Sequence, residues 1–256
     1  MNQITKSKFF KESKNNNHLD LYYGKEQGLT LTQLELKKLL KEFTILCQEK
    51  NIKPILMHGS LIGWYFNGKM LPWDNDIDIV LVGGSIDKLK QLDKFENDNL
   101  IIKVNSNSNY RGHDDRHNVI DARVISKNNG VFIDITFFYQ SLDDFFKKNI
   151  SRYLKTIYTT TNPYMKANYL IKLKTICRSF NISETPENTN YVNCKSPHYY
   201  NVKHIFPLIK DKFEDCDVYL PNNIKECLNQ EYGNDVFKPR YNRWKFNVQR
   251  NTWLKS

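Results

Sequence analysis

The sequence lacks the features that mark secreted, membrane-spanning or zinc-ribbon proteins. Its 256 residues include five cysteines, and no two of them form a C-x-x-C pair. This pattern indicates neither a zinc ribbon nor a complete disulfide framework, so a reducing compartment is the simpler expectation. The first residues contain no apolar signal-peptide core, and no run of about 18 apolar residues occurs in the sequence. We therefore expect no signal peptide, no membrane span and, by default, a cytoplasmic protein.

The composition excludes wholesale disorder and leaves the partner open. Hydrophobic residues make up 40% of the chain, which contains 15 Phe and 15 Tyr, and the length is ample for a buried core. The formal charge of +10 suits polyanions such as nucleotides, nucleic acid, phosphorylated glycans or an acidic membrane surface. A Lys-rich solvated surface explains the same charge equally well.

Composition and periodicity divide the chain into four segments. Residues 1–28 are rich in Lys, Asn and Ser, and we expect a partly ordered lead-in that adds little to the core. Residues 29–140 hold the predicted catalytic core. A helical and loop segment is expected at 141–200, and 201–256 should complete the domain. The mixture of strand and helix patterns in the first half predicts an α+β fold with a mixed sheet.

The core is predicted to begin with a helix, followed by a strand, a turn and a second helix. Apolar residues recur at helical spacing over 30–51, and Thr32 with Glu35 has the spacing of a capping box. Residues 54–57 predict a short strand, and 61–66 predict a short helix. The turn between them would face a phosphate group.

Three further strands are predicted. A continuous apolar run at 77–82 suits a buried strand. The β-like runs at 119–125 and 131–139 are separated by Asn129-Gly130, which strongly favours a hairpin. Residues 181–201 are predicted to form a loop.

Three aspartates at strand positions form the candidate site. Asp76 and Asp78 should point to the same face because side chains alternate along a strand, and same-face neighbours lie about 6.6 Å apart. Both carboxylates can then bind one hard cation such as Mg²⁺ or Mn²⁺. Asp134 lies between two isoleucines in another apolar strand, where a buried carboxylate needs a partner or a metal, so it is the expected third ligand.

Two other kinds of acidic site are candidates for this segment, and only one of them is excluded by the sequence. An EF-hand loop starting at Asp74 would require Gly at the position of Ile79 and Glu at the position of Ser85, which excludes it. A D-x-D glycosyltransferase site, which binds a sugar nucleotide through a metal, remains open on the local sequence alone.

A Gly-Ser turn precedes the acidic strand. Gly59 and Ser60 offer backbone N–H groups and a hydroxyl to phosphate oxygens. An ordinary turn would explain the pair if it stood alone, and its spacing to Asp76 and Asp78 is what favours a functional role.

The order of these motifs is similar to the nucleotidyltransferase fold shared with DNA polymerase β-like enzymes. More narrowly, residues 58–64 and 71–78 resemble the signature of the LicD family. That family includes bacterial phosphocholine transferases, fukutin, fukutin-related protein and fungal proteins implicated in mannosylphosphate transfer. Residues 120–123 and 130–136 resemble the fungal branch most. Asn75 departs from the Asp that is usual in many members, and we expect no membrane anchor of the kind common in the Golgi relatives.

The resemblance implies a fold and a set of site residues. The fold would be a nucleotidyltransferase-like mixed sheet flanked by helices, with a C-terminal helical extension. The implied metal ligands for Mg²⁺ or Mn²⁺ are Asp74, Asp76, Asp78 and Asp134. The implied catalytic carboxylates are Asp76, Asp78 and Asp134. The residues expected to contact the donor are His58, Gly59, Ser60 and Arg123, and the loop before Arg123 adds Arg111, Arg116 and His117.

The resemblance also implies a reaction. A phosphate-linked group, such as a sugar phosphate, polyol phosphate or phosphocholine, would move from a nucleotide-diphosphate-linked donor to a glycan or glycoconjugate hydroxyl. The metal would neutralise the diphosphate, and a carboxylate would accept the proton of the hydroxyl. The rival hypotheses are a template-independent nucleotidyltransferase and a catalytically silent polyanion-binding protein. Nucleic acid is not the expected partner, and the sequence carries no signal for oligomeric state.

Overall fold

The computed structural model describes most of the chain. The described residues are 8–10, 12, 19, 21, 28–82, 86–93, 95–105, 120–141, 152–153, 155–157, 159–177, 191–194 and 198–255.

A mixed β-sheet occupies the centre of the described part of the chain. Its nine strands are β1 (Ile55–Leu56), β2 (Asp78–Val82), β3 (Leu100–Val104), β4 (Ala122–Ser126), β5 (Phe132–Ser141), β6 (Tyr191–Cys194), β7 (His198–Asn201), β8 (Ile209–Phe213) and β9 (Cys216–Leu220). The order across the sheet is β3-β4-β5-β2-β1-β9-β8, and β6 joins β5 and carries β7. The pairs β2 with β5 and β1 with β9 are parallel, and the remaining pairs are antiparallel.

Helices flank this sheet. They are α1 (Leu29–Glu49), α2 (His58–Asn67), α3 (Ile86–Gln91), α4 (Pro163–Cys177), α5 (Val202–Ile205) and α6 (Ile224–Tyr232), with 3-10 turns at Lys8–Phe10 and Asn234–Phe237. The apolar stripe of α1, including Leu36, Leu40 and Phe43, is fully buried, and α1 lies against β4, β5 and β9. A mixed sheet flanked by helices confirms the predicted α+β class.

Several local predictions are confirmed. The Asn129-Gly130 turn joins the antiparallel strands β4 and β5, and Gly130 adopts φ 70°. Gly68 adopts φ 72° and ends α2 close to the end of the helix predicted at 61–66. Further along the chain, α6 follows Pro221, and the Asn223 side chain caps its first turn.

The capping box predicted for α1 is wrong. The helix begins at Leu29, and Gly28 is its N-cap. Thr32 and Glu35 therefore lie inside the helix, and both are buried. Glu35 accepts a hydrogen bond from the Ser126 hydroxyl on β4 at 2.6 Å, so its side chain serves tertiary packing instead of a cap.

Other predictions differ from the structure in the type of element. Residues predicted as a turn at 58–60 form the first turn of α2. Within the predicted loop, residues 191–194 and 198–201 form β6 and β7. β6 pairs with β5 and β7 pairs with β6, which gives these short tyrosine-containing segments a ladder that local sequence does not reveal. The C-terminal part is also less helical than expected. Beyond α6 it forms a separate three-stranded sheet of β10 (Arg240–Tyr241), β11 (Trp244–Asn247) and β12 (Thr252–Lys255).

The N-terminal lead-in contributes to the core. Phe10, Glu12 and Leu19 are buried, and the Leu19 N–H donates a hydrogen bond to the Gly130 carbonyl at 3.0 Å. The expectation that this segment adds little to the core is therefore wrong at these positions. In the part of the chain that the structure describes, no helix combines the length and the apolarity that crossing a bilayer requires.

Gly63 sets how closely α2 approaches the following loop, and we predict that Gly63→Ala destabilises the protein. A Cβ at this position would collide with the backbone carbonyl of Lys69. Alanine gains about 1 kcal/mol of helix propensity, but overpacking against rigid backbone costs more, so we expect a net loss of about 2 kcal/mol. Urea unfolding of the wild type and the variant measures this loss in the free energy of unfolding.

The matched control is Gly28→Ala, where a Cβ meets no atom within 4 Å. It should cost under about 1 kcal/mol, since only the N-cap preference changes. Equal losses for the two variants would show that the close approach at Gly63 does not matter.

Candidate functional site

Strand pairing places two of the predicted aspartates side by side. Asp78 on β2 is the register partner of Asp134 on the parallel strand β5. Arg123 on β4 is in turn the register partner of Asp134. Register partners on adjacent strands lie about 4.8 Å apart and point to the same face, so the three side chains form one row across the sheet. We call Asp78, Asp134 and Arg123 the charged row.

The charged row is buried and gathers several carboxylates around one cation. Arg123 is 1% exposed, and its Nε donates to Asp134 Oδ1 at 2.7 Å. Its Nη2 donates to Glu12 of the lead-in. Two carboxylates, those of Asp134 and Glu12, therefore share this guanidinium, and Asp78 is the next residue of the row beyond Asp134. Clustered buried carboxylates are costly, and a divalent cation bound by oxygen ligands would offset that cost.

Arg123 is held in its charged form. Burial alone would lower the pKa of its guanidinium, but Asp134 and Glu12 outweigh this and raise the pKa above its ordinary value. The guanidinium also lies over the Phe132 ring, 3.8 Å from the ring centroid. These contacts make Arg123 a positioning residue for Asp134, whereas its contact with phosphate stays a prediction.

The aspartates before β2 lie in a loop instead of a strand. Because β2 begins at Asp78, the prediction that Asp76 and Asp78 occupy two same-face strand positions is wrong. Asp76 is exposed and Asp74 is partly buried. A Cβ added to Gly59 would lie 3.3 Å from Asp74 Oδ2, so the Asp74 carboxylate sits against the first turn of α2. A carboxylate is favourable there because a helix N-terminus carries partial positive charge.

Two distant parts of the chain fix this acidic loop. From α1, the Gln33 side-chain amide donates to the Leu71 carbonyl at 3.0 Å and to the Asp74 carbonyl at 2.7 Å. From the C-terminal sheet, Tyr241 stacks on Trp73 with 4.8 Å between ring centroids, and Trp253 contacts Trp73 edge to face at 4.9 Å. The segment from Leu71 to Asp74 is thus held by α1 and by the C-terminal sheet.

Ser60 connects α2 to β2. Its hydroxyl is buried and accepts a hydrogen bond from the Asp78 backbone N–H at 3.0 Å. The structure therefore shows Ser60 fixing the backbone of a site aspartate. The contact of Ser60 and Gly59 with a phosphate group stays a prediction.

His58 belongs to a buried polar cluster that the sequence did not predict. Its Nδ1 lies 2.7 Å from Glu231 Oε1, and Glu231 Oε2 accepts a hydrogen bond from the Tyr200 hydroxyl at 2.8 Å. The Nε2 of His198 lies 3.7 Å from the same Glu231 Oε1. Burial alone would raise the pKa of Glu231, but His58, His198 and the Tyr200 hydrogen bond together hold it well below its ordinary value. No local pattern connects residues 173 positions apart in the sequence.

The described residues therefore bring Asp78 and Asp134 together, place Asp74 at the first turn of α2 and leave Asp76 exposed beside them. These four carboxylates offer the oxygen ligands that Mg²⁺ and Mn²⁺ prefer. The basic loop residues predicted to assist, Arg111, Arg116 and His117, lie outside the described residues.

Comparison with known proteins agrees with this architecture. Residues 51–174 match the family described as LicD/FKTN/FKRP, nucleotidyltransferase domain. Over 116 residues the chain is 31% identical to Mannosyltransferase regulator 4 of Saccharomyces cerevisiae, which covers 41% of this chain and 10% of that protein. Mannosyltransferase regulator 14 of the same organism is 22% identical over 268 positions, covering 78% of this chain and 28% of that protein. The matched regions thus span a small part of both relatives.

Arg123 should be essential for stability, because its removal would take away the guanidinium that bridges buried Glu12 and Asp134. We predict that Arg123→Met lowers the free energy of unfolding by about 3–5 kcal/mol. Urea unfolding monitored by tryptophan fluorescence measures the loss.

Lys103→Met is the matched control, since Lys103 is the register partner of Arg123 on β3 but is only half-buried. It should cost less than about 1 kcal/mol. If the Arg123 and Lys103 variants lost similar stability, the burial of Arg123 between two carboxylates would not be the reason for its effect.

Proposed function

We propose, from the match of residues 51–174 to the LicD/FKTN/FKRP family of nucleotidyltransferase domains, that the chain is a metal-dependent phosphotransferase. This match implies a phosphotransferase-like or glycosylation-related role. We propose specifically the transfer of a sugar phosphate, polyol phosphate or phosphocholine group. The donor would be a nucleotide-diphosphate conjugate and the acceptor a glycan hydroxyl.

The observation that supports this proposal most is the placement of Asp78 beside Asp134. Parallel pairing of β2 with β5 puts the two carboxylates on one face, and Arg123 fixes Asp134 from the other side. Asp74 and Asp76 on the adjoining loop add further oxygen ligands of the kind that Mg²⁺ and Mn²⁺ prefer, and such an ion when bound would supply charge neutralisation to a diphosphate.

The remaining chemistry would come from side chains and backbone of the chain. The first N–H groups of α2, at His58 and Gly59, would bind phosphate oxygens. One carboxylate of Asp76, Asp78 and Asp134 would accept the proton of the attacking hydroxyl. Ser60 would keep the Asp78 backbone in place, since its hydroxyl already accepts the Asp78 N–H.

A second candidate is a regulatory role without transfer chemistry. It is favoured by the names of the two yeast relatives, which describe mannosyltransferase regulators. In that case the fold would hold a phosphorylated or nucleotide-linked ligand without turnover. A template-independent nucleotidyltransferase or a D-x-D glycosyltransferase would use the same carboxylates and differ in the group that is transferred.

We predict that a nucleotide-diphosphate-linked donor with Mn²⁺ raises the melting temperature. A ligand that binds only the native state adds about 2.7 kcal/mol at 100 times its Kd. A thermal-shift screen would compare CDP-, GDP- and UDP-linked donors, nucleoside triphosphates and RNA, each with and without Mn²⁺. Stabilisation by a triphosphate or RNA, and by no diphosphate-linked donor, would replace the proposal with the nucleotidyltransferase hypothesis.

We further predict that Asp78→Asn and Asp134→Asn each lower metal-dependent turnover by at least about 100-fold. Asparagine keeps the shape of the side chain and removes one negative charge from the proposed metal site. Asp78→Asn should keep or raise stability without metal, because clustered carboxylates repel one another. Asp134→Asn should also lose some stability, since it weakens the ion pair with Arg123.

The matched control is Asp93→Asn. The Asp93 side chain accepts the Val104 N–H at 2.9 Å on the edge strand β3, which is two strands from Asp134 and three from Asp78, so turnover should be unchanged. Donor binding without any turnover in the wild-type chain would favour the regulatory candidate. Turnover that survives both site substitutions would remove the metal site from the proposal.

A further inference from the structure

We propose that His58, His198 and Glu231 form a binding site for a divalent transition-metal ion of the zinc type. We call these residues the histidine site. It is distinct from the oxygen-ligand site of the aspartates and does not rest on the proposed transfer reaction. The three residues come from the start of α2, from β7 and from the end of α6.

The distances fit a single ion. One ligand atom from each residue lies within 4.8 Å of the other two. The Glu231 Oε1 atom faces both histidines, at 2.7 Å from His58 Nδ1 and 3.7 Å from His198 Nε2. A tetrahedral zinc ion with bonds of about 2.0–2.2 Å holds its ligand atoms about 3.3 Å apart. The side chains would therefore need to move by about an ångström or less on average.

The chemistry of the ligands selects the class of metal. Two imidazole nitrogens and one carboxylate suit Zn²⁺ and similar transition metals, whereas Mg²⁺ prefers an all-oxygen shell. Three protein ligands leave a fourth tetrahedral position. The His198 side chain is 23% exposed, against 3% for His58 and 4% for Glu231, so an ion and its fourth ligand would enter past His198.

The surroundings hold the ligands in orientation. The Tyr200 hydroxyl, fully buried on the same strand as His198, donates to Glu231 Oε2 at 2.8 Å and leaves Oε1 facing the histidines. On the other side of the His58 ring, Nε2 lies 3.7 Å from Cys194 Sγ. Metal sites in proteins commonly show such partners, which fix the carboxylate and the ring nitrogen that faces the ion.

An occupied histidine site would stabilise the start of α2, from which Ser60 contacts Asp78. His58 lies two residues before Ser60, whose hydroxyl accepts the Asp78 N–H. An ion joining His58 to α6 and β7 would thus tie together three segments that are distant in sequence, at the start of the helix that contacts Asp78. The same contacts without metal would constitute a buried ion pair of Glu231 with the histidines, and the experiment separates the two.

The test is metal binding to the full chain. Zn²⁺ stoichiometry is measured by equilibrium dialysis of the metal-free protein, and Co²⁺ substitution is followed by visible ligand-field absorption. We expect one tight equivalent in the wild type and its loss in His198→Gln, a change at the most exposed of the three ligands. Tyr200→Phe should keep the stoichiometry and weaken the affinity about 10- to 100-fold.

Two controls make the result specific. His204→Gln replaces a histidine on the neighbouring helix α5, outside the histidine site, and should retain the equivalent. Asp78→Asn should also retain it, so the test does not depend on whether transfer activity exists. No tight equivalent in the wild type, or equal zinc binding by His198→Gln and His204→Gln, would overturn the proposal and leave a metal-free ion pair.

Discussion

Parallel pairing of β2 with β5 imposes the constraint on which the rest of the site depends. It places the carboxylates of Asp78 and Asp134 next to each other in a buried row, where like charges repel and lose their hydration. The Arg123 guanidinium offsets part of that cost, but its hydrogen bond to Glu12 adds another buried carboxylate to the same region. The surrounding structure can be understood as support for an arrangement that folding alone would not favour, and such arrangements are typical of functional sites.

Many of the contacts that hold the site residues in place come from outside residues 51–174, the segment that matches the family. Gln33 on α1 holds the acidic loop, the rings of Tyr241 and Trp253 clamp Trp73, and Glu231 on α6 holds His58. Residues 51–174 contain the aspartates, whereas the contacts that fix them span nearly the whole chain. Residues 51–174 and the segments around them therefore pack together in these places.

The sequence predicted the strands of the site better than their arrangement. Asp78 and Asp134 stood out because each interrupts an apolar run, and those runs correctly predicted the two strands. An apolar run does not say which strands pair or where a strand begins, so Asp76 was wrongly placed in β2. The ion pair of Arg123 with Glu12 and the contact of His58 with Glu231 left no local pattern at all, because each joins residues more than 100 positions apart.

These long-range contacts also affect how the chain folds. Glu12 and Arg123 are 111 residues apart, and His58 and Glu231 are 173 apart, so each contact closes a large loop of chain. Loop closure of this kind is entropically costly and gives a topology of high contact order, which folds slowly. During synthesis the charged row would emerge long before α6 and the C-terminal sheet. The charged row and the loop of Asp74 and Asp76 would thus take their final form only after α6 and the C-terminal sheet have been synthesised.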